Sequence, residues 1–283
     1  ERLNEDGAVD LTEVQWETGQ SYTPTSGKLK GLYEARDDIE GDSKGIPYYI
    51  ERINNFINTF AEESNRIHSE GFGIDSDKTT GLFMYTINDM TTEDYKNYLK
   101  TSGLNNETGQ IGNGDAGIDV TSQVLNGTSG LTGDDLQEKI IENKDKIIKN
   151  NPQYKGKAIK KVDNQYLVVD KMKANQISIA KDLEDLDLIA ASSTKEGVPG
   201  DGENALALTQ IRNNQKLYEW GSPEDYIKSL ISNLGVDGQE ALRVTENQEV
   251  LVDELQTKRL SIQGVSLDEE MTNMIKYQKA YSA

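Results

Sequence analysis

The sequence has no cysteine and only one histidine, His68, among its 283 residues. Without cysteine there is no disulfide framework, no thiolate zinc site and no cysteine nucleophile. A lone imidazole gives little scope for a metal site, because most such sites combine several ligands of this kind. We therefore expect no metal and no cofactor.

Positive charge and long apolar runs are also scarce. Thirty basic residues face 49 acidic ones, which gives a net charge of −19. Because this sign cannot hold phosphates by counterion release, we expect no nucleic-acid partner. No run reaches the roughly 18 apolar residues that cross a bilayer, so we expect no membrane insertion. The low apolar content favours a thin or elongated body.

The last twenty residues carry the strongest local pattern. Ser266 followed by Glu269 is a capping box, which predicts the start of a helix. Apolar positions then recur every three or four residues and form one stripe that needs a packing partner. The stripe consists of Leu267, Met271, Met274, Ile275, Gln278 and Tyr281. No glycine, proline or basic last turn follows, and residue 1 is Glu, so we expect both ends to be cuts in a longer chain.

Other helices are predicted on both sides of a polar middle. A short helix near residues 29–38 precedes a long one, which begins at Pro47 and ends at Gly71. After the middle, we predict helices at 205–218, from Ser222-Pro223 to a C′ residue at Gly235, and at about 238–263. The last of these has a seam at 241–262 that fits a coiled coil or an ordinary bundle helix equally well.

The composition suggests three regions. Residues 1–25 resemble the end of a preceding β-rich region, and residues 26–71 with 177–283 form a helical domain. Residues 72–176 are rich in Gly, Asn, Asp and Thr, which indicates an inserted domain. Inside it we predict helices at 93–100 and 134–150 and a hairpin whose strands, 158–162 and 165–169, flank a two-residue turn. Residues 173–191 have extended, alternating apolar positions.

Three motifs suggest chemistry but lack its structural context. Residues 41–45 match a nucleophile elbow around Ser43. With His68 as the base, this motif gives a serine hydrolase as an alternative function. An elbow needs a buried strand before the serine, and the sequence has none there. Residues 112–117 match a dinucleotide loop without its strand. Residues 75–79 begin like a calcium loop but lack its glycine and closing glutamate. We interpret all three as surface loops and expect no catalytic residue.

The C-terminal motif is more specific. Residues 264–281 read Gly-Val-Ser-Leu-Asp-Glu-Glu-Met-Thr-Asn-Met-Ile-Lys-Tyr-Gln-Lys-Ala-Tyr and resemble the C-terminal signature of bacterial flagellar hook-associated protein 1 (FlgK). The segment at 26–37, with Arg36-Asp37, and the helix end at 65–71, with Asn65 and His68, are similar to further motifs of that family. Residues 190–192 and 199–208 also match, whereas 72–176 match nothing in it.

The resemblance implies a mainly helical α+β fold, in which an elongated helical domain of a flagellin-like axial protein carries an outward-facing mixed α/β or β-rich insert. It implies a non-catalytic structural protein of the hook–filament junction, exported to the extracellular flagellum without a cleaved signal peptide. The implied partners are hook protein, the second junction protein, further copies in the axial layer and an export chaperone. A glycan-binding surface adhesin remains a third reading.

The resemblance also implies packing and assembly roles for particular residues. They are Arg36, Asp37, Asn65, His68, Leu267, Met271, Met274, Ile275, Tyr277 and Tyr281. Because the partner helices of the C-terminal stripe are expected to lie outside this chain, we predict that Met274, Tyr277 and Tyr281 are exposed.

Overall fold

The computed structural model describes residues 2–3, 9–10, 16–20, 22–38, 44–74, 83–101, 118–154, 157–162, 164–264 and 266–283. In these residues the fold is mainly helical α+β with small antiparallel sheets, which confirms the predicted class. The chain forms two units, Glu1–Ile227 and Lys228–Ala283. No helix in the described part is long and apolar enough to cross a membrane.

The helices are α1 (Gly27–Asp37), α2 (Ile46–Glu70), α3 (Thr92–Thr101), α4 (Thr121–Val124), α5 (Gly133–Asn150), α6 (Glu203–Gln210), α7 (Pro223–Gln263) and α8 (Leu267–Ser282). The strands are β1 (Arg2–Leu3), β2 (Val9–Asp10), β3 (Tyr85–Ile87), β4 (Ile118–Asp119), β5 (Lys157–Val162), β6 (Gln165–Asp170) and β7 (Ile177–Ile179). The predicted hairpin is β5–β6, in which Val162 pairs with Gln165.

The sheet β4-β6-β5 has a hydrophobic core on each face. On β6, Leu167 and Val169 point to the first core, whereas Tyr166 and Val168 point to the second. Successive strand residues face opposite sides, so a strand covered on both sides is apolar at consecutive positions. The first core comprises Ala61, Ile87, Tyr95, Leu99, Val162, Leu167, Val169 and Met172. The second comprises Val120, Val124, Ile140, Ile147, Tyr154, Ile159, Tyr166 and Val168.

Helix α2 begins and ends as predicted, with Pro47 in its first turn and Gly71 at its carboxyl end. Its pattern of buried residues differs from that of an ordinary amphipathic helix. Ile46, Ile50 and Ile53 are exposed in the amino-terminal half. The buried residues lie in the other half and are mostly polar or small: Asn58, Ala61, Ser64, Asn65, Ile67 and His68. Polar side chains buried in this way need hydrogen-bond partners, which neighbouring segments supply.

Two predicted segments differ from the structure. The helix predicted at 205–218 ends at Gln210 and gives way to a 3₁₀ turn at Ile211–Asn213. Asn214 then accepts the amide hydrogen of Lys216, a side-chain bond that competes with helix continuation. Residues 173–191 are extended only at β7, which pairs with β3, and otherwise form 3₁₀ turns at Lys181–Glu184 and Leu186–Leu188.

Helix α7 corrects a further prediction. Gly235 does not end one helix before another begins, because residues Pro223–Gln263 form a single helix of 41 residues. Gly235 and Gly238 both lie inside it. A glycine weakens a helix interior by about 1 kcal/mol relative to alanine, which is too little to stop a long helix. The capped start is as predicted, since the amide of Asp225 donates to Ser222 Oγ.

We predict that replacing both glycines by alanine stabilises α7. A Cβ at Gly235 or Gly238 meets nothing within 4 Å. Gly235→Ala with Gly238→Ala should therefore add about 1 kcal/mol each to the helix through backbone entropy alone. Circular dichroism during thermal melting measures the change. Unchanged or lower helicity would contradict a continuous helix at these positions, and Gly45→Ala, whose Cβ would lie 2.4 Å from the Glu34 carbonyl oxygen, is the destabilising comparison.

Several sequence predictions lie outside the described residues. These are Ser43, the calcium-like segment within 75–82, and the glycine-rich loop within 102–117. The division into residues 1–25, 26–71 with 177–283, and 72–176 stays a prediction.

Candidate functional site: a polar clamp and a C-terminal stripe

A line of polar side chains occupies one face of α2. Asn58, Asn65 and His68 are 6%, 7% and 1% exposed, and Asn54 lies one turn before Asn58. The steps of four, seven and three residues place all four on the same side of the helix. We call Asn54, Asn58, Asn65 and His68 the polar clamp.

The asparagines of the clamp bind backbone groups. Asn65 Nδ2 donates to the Tyr85 carbonyl oxygen at 3.1 Å, and its Oδ1 accepts the Tyr85 amide hydrogen at 2.8 Å (N···O). Asn58 pairs with Met172 in the same way, at 2.6 and 2.8 Å. Asn54 Oδ1 accepts the amide hydrogen of Ala174 at 2.9 Å. Since a carboxamide carries the donor and acceptor of a peptide group, each side chain acts as a short neighbouring strand.

Two side chains hold the next passage of the chain at Ala190. His68 Nε2 accepts the Ala190 amide hydrogen at 3.1 Å, and Asn204 Nδ2 donates to the Ala190 carbonyl oxygen at 2.6 Å. An acceptor Nε2 carries no proton, so the neutral imidazole is the Nδ1–H tautomer. Phe72 and Ser192 exchange backbone hydrogen bonds beside it, at 2.8 and 3.0 Å. Helices α2 and α6 are thus joined through the backbone of residues 190–192.

Gly71 allows the end of α2 to lie this close to Asn204 and the backbone of Ala190. A Cβ there would lie 2.1 Å from Asn204 Nδ2 and 3.0 Å from the Ala190 carbonyl oxygen. Because Asn204 is 7% exposed and holds Ala190, it has no room to move aside. Only glycine fits at this position.

Asp201 organises the loop before α6. It accepts from the amide and hydroxyl of Ser193 at 2.8 and 2.7 Å and from the amide of Glu203 at 2.9 Å. Its Oδ2 also lies 2.9 Å from Ser192 Oγ. The backbone bond from Glu203, followed by those from Ser193, holds the pKa of Asp201 well below its ordinary value.

This shift predicts a pH dependence. With a folded pKa below the unfolded one, Asp201 stabilises the fold fully above about pH 4, and the contribution disappears as pH falls through the folded pKa. The wild type should therefore exceed Asp201→Asn in stability at pH 7, and the difference should shrink steadily below about pH 4. Urea denaturation of both proteins from pH 7 to pH 2 measures it. A difference independent of pH would show that the charge of Asp201 is irrelevant.

Two tyrosines, one just before α7 and one in its first turn, attach this part of the chain to another face of α2. The Tyr218 hydroxyl donates to the Phe56 carbonyl oxygen at 2.9 Å, and the Tyr226 hydroxyl donates to that of Arg52 at 3.1 Å. Their rings stack on Phe56 with centroids 5.2 and 5.7 Å away. Burial raises the pKa of both phenols, so they remain protonated donors.

Arg36 and Asp37, which the motif comparison singles out, form a two-point ion pair at the end of α1. Arg36 Nε and a terminal nitrogen lie 2.6 and 2.7 Å from the two carboxylate oxygens of Asp37. The guanidinium also lies 4.6 Å from the ring centroid of Tyr33. No residue of α1 is buried, so this pair contributes shape and charge at the surface more than stability.

The C-terminal stripe lies on α8. The helix starts after Ser266 as predicted, but Ser266 makes no side-chain capping bond, so the reciprocal capping box is absent. Met274, Tyr277 and Tyr281 are 62%, 73% and 95% exposed, as predicted. Leu267, Met271 and Ile275 are exposed as well. The apolar seam of α7 is exposed in the same way, at Val244, Leu251, Leu255 and Ile262.

The motif resemblance singled out Asn65 and His68, and the sequence analysis did not single out Asn54, Asn58, Asn204, Asp201 or the two tyrosines. The spacing of the asparagines on α2 was the available signal, since a polar residue repeated on one helix face needs a structural reason. Their partners are distant in sequence, and no local pattern identifies them.

The geometry does not support catalysis at His68. Its imidazole is buried and its Nε2 is already bonded to a backbone amide, so it is not placed to act as a general base. Among the described residues no group of three or more His, Cys, Asp or Glu side chains is arranged to hold a metal ion.

Comparison with known proteins points to the flagellum. Residues 256–283 match the family described as flagellar basal body rod FlgEFG protein C-terminal, a segment that contains all of α8. Over 112 residues the chain is 33% identical to flagellar hook-associated protein 1 of Bacillus subtilis (strain 168). That stretch makes up 39% of this chain and 22% of the relative. No solved structure matches the chain.

Neither matched name describes a hydrolase or an adhesin. The rod-protein family match covers the motif at 264–281, and both matched names concern the flagellum. The chain is a FlgK-like flagellar protein.

Proposed function

We propose that this chain belongs to a non-catalytic structural subunit of the hook–filament junction. The observation that carries the proposal is the exposed apolar stripe of α8, which coincides with the segment that matches the rod protein family. An apolar stripe of this length on a soluble helix needs a partner surface, and an axial layer of packed helices supplies one.

The remaining geometry supports a mechanical role. The polar clamp and the two tyrosines fasten separate passages of the chain to α2 through backbone hydrogen bonds. None of these bonds leaves a nucleophile, base and electrophile together, as an enzyme requires. Firmly attached passages in the first unit, and an exposed assembly helix in the second, suit a structural subunit of a junction between hook and filament.

The proposed location is the extracellular flagellum, reached by export without a cleaved signal peptide. The proposed partners are hook protein, the second junction protein and further copies in the same layer, with an export chaperone before assembly. The related Bacillus subtilis protein is named as hook-associated, which supports the first of these.

A deletion and complementation experiment tests the proposal. Cells that lack the complete gene encoding this chain should have hooks without attached filaments and should not swim. Complementation should fail with Met271→Glu plus Ile275→Glu, since two charges in the stripe oppose its burial. Asn273→Glu with Lys276→Gln, which makes the same helix more negative by the same amount away from the stripe, is the matched control and should restore filaments. Normal filaments in the deletion strain would end the proposal.

A further inference from the structure

The chain has an uneven distribution of charge. Residues 139–173 contain ten lysines and four carboxylates, whereas the rest of the chain contains 20 basic and 45 acidic residues. A basic segment within a strongly acidic protein creates two surfaces of opposite sign. Opposite surfaces on one chain are complementary between two copies of it.

Two of these lysines lie where α5 packs on the β5–β6 hairpin. Lys144 Nζ lies 5.6 Å from the centroid of the Tyr166 ring, and Lys161 is directly opposite Tyr166 in the strand register. Ile141, one turn before Lys144, is 58% exposed. We call Ile141, Lys144 and Lys161 the basic surface.

Nearby carboxylates leave this surface positive. Glu142 is bonded to Lys139 at 2.7 Å and also to Lys146, and these two bonds lower its pKa to about 2. Asp145 adjoins Lys144, whose charge opposes the rise in the Asp145 pKa that burial causes. Lys161 is exposed. The surface thus combines cationic groups with one exposed aliphatic side chain.

An acidic counterpart lies in the 3₁₀ turns after β7. Glu184, Asp185 and Asp187 are exposed and surround Leu186, which is 72% exposed. Asp185 Oδ1 accepts the Asp187 amide hydrogen at 3.1 Å, which fixes the shape of the turn. We call Glu184, Asp185, Leu186 and Asp187 the acidic knuckle.

We propose that the basic surface of one copy docks on the acidic knuckle of a second copy, with Ile141 against Leu186. Lys144 is half-buried, whereas Ile141, Lys161 and the four residues of the acidic knuckle are exposed, so neither surface is covered by the other within one copy. The charges are complementary, and each side offers one aliphatic side chain for the centre of the contact. Such a contact joins different patches of two identical subunits, and repeated contacts of this kind close into a ring or continue as a helix.

This inference rests on the proposed function in one respect only, which is that the adjacent subunit is another copy of this chain. Its test uses purified chain and fails or succeeds independently of the filament assay. We would mix unlabelled and ¹⁵N-labelled chain at high concentration and treat it with a carbodiimide, which joins amines to carboxylates in direct contact. Peptides of mixed isotope should join Lys144 or Lys161 to Glu184, Asp185 or Asp187. Links confined to single copies, or directed to other acidic segments, would overturn the proposal.

Charge reversal supplies the second arm. Lys144→Glu with Lys161→Glu removes the two amines themselves, so the mixed-isotope links at this contact should disappear, and self-association measured by sedimentation velocity should weaken about tenfold because attraction becomes repulsion at a partly exposed contact. Mixing this variant with Glu184→Lys plus Asp185→Lys should restore the links. Lys28→Glu with Lys216→Glu adds the same charge elsewhere and should leave the links unchanged. Failure of the mixture to recover, with both variants folded by circular dichroism, would overturn the contact.

If the lysine variant does not fold, Glu184→Gln with Asp185→Gln tests the same contact from the other side. Because glutamine does not couple to an amine, sedimentation velocity is the measurement here: self-association should weaken to a similar degree, and unchanged self-association would count against the proposal.

Discussion

Asn58→Ala is expected to lower the free energy of unfolding by about 2–4 kcal/mol, because it leaves two buried backbone groups of Met172 without partners. The side chain of Met172 is fully buried, so water does not replace the lost bonds. Urea denaturation followed by circular dichroism measures the change. The same loss should raise hydrogen exchange at the Met172 amide, which Asn58 Oδ1 holds at 2.8 Å.

Matched variants separate this bond pair from a general effect of asparagine loss. Asn55→Ala, on the same helix, removes only a partly buried contact with Lys171 at 2.8 Å and should cost less than about 1 kcal/mol. Asn58→Asp keeps the acceptor for the Met172 amide but loses the donor, so it should remain strongly destabilising. If Asn58→Ala cost no more than Asn55→Ala, the clamp would not hold this passage of the chain.

Gly71→Ala should cost about 2–4 kcal/mol, since the new methyl group overlaps Asn204 and forces it off the Ala190 carbonyl. Loss of that bond leaves a buried acceptor unpaired. Thermal and urea unfolding measure the effect, and the lowered stability should be accompanied by faster hydrogen exchange in residues 190–192.

A double-mutant cycle tests the cause. In an Asn204→Ala background the obstructing amide is absent, so Gly71→Ala should cost clearly less than in the wild type. The Ala190 carbonyl oxygen, 3.0 Å from the added Cβ, should leave a small residual cost. If Gly71→Ala lowered the free energy of unfolding equally in both backgrounds, Asn204 would not be the residue that excludes a side chain at position 71.

Local signals explain what the sequence predicts well. Pro47 and Gly71 bound α2, and the Ser222-Pro223 pair begins α7, because each residue acts on the backbone within one turn. The hairpin of β5 and β6 is equally local, since its strands are separated by two residues. The exposure of Tyr277 and Tyr281 follows from a stripe that finds no partner in the described chain.

Long-range contacts explain what it does not predict. Asn58 and Met172 are 114 residues apart, so their pairing depends on the complete fold. Lys160 would normally be assigned to a surface, yet it is 7% exposed and its Nζ lies 3.3 Å from the Tyr95 hydroxyl. Burial lowers the pKa of Lys160, an environment set by α3, which precedes it by some sixty residues. The prediction at Gly235 was wrong for the opposite reason. The local preference of glycine for helix ends predicted an end there, but the long helix continues through it.

The positions of Asn58 and Asn65 have a consequence for chain design. They are seven residues apart on α2, which places the Met172 and Tyr85 backbones about 10 Å from each other along the helix. The two ends of the segment 86–171 are therefore held close together on α2. At both ends the asparagine side chain binds only a peptide group. Peptide groups are common to every sequence, so these two attachment points do not depend on which side chains stand at positions 85 and 172, whereas the packing of Ala61 on the first core does depend on the segment between them.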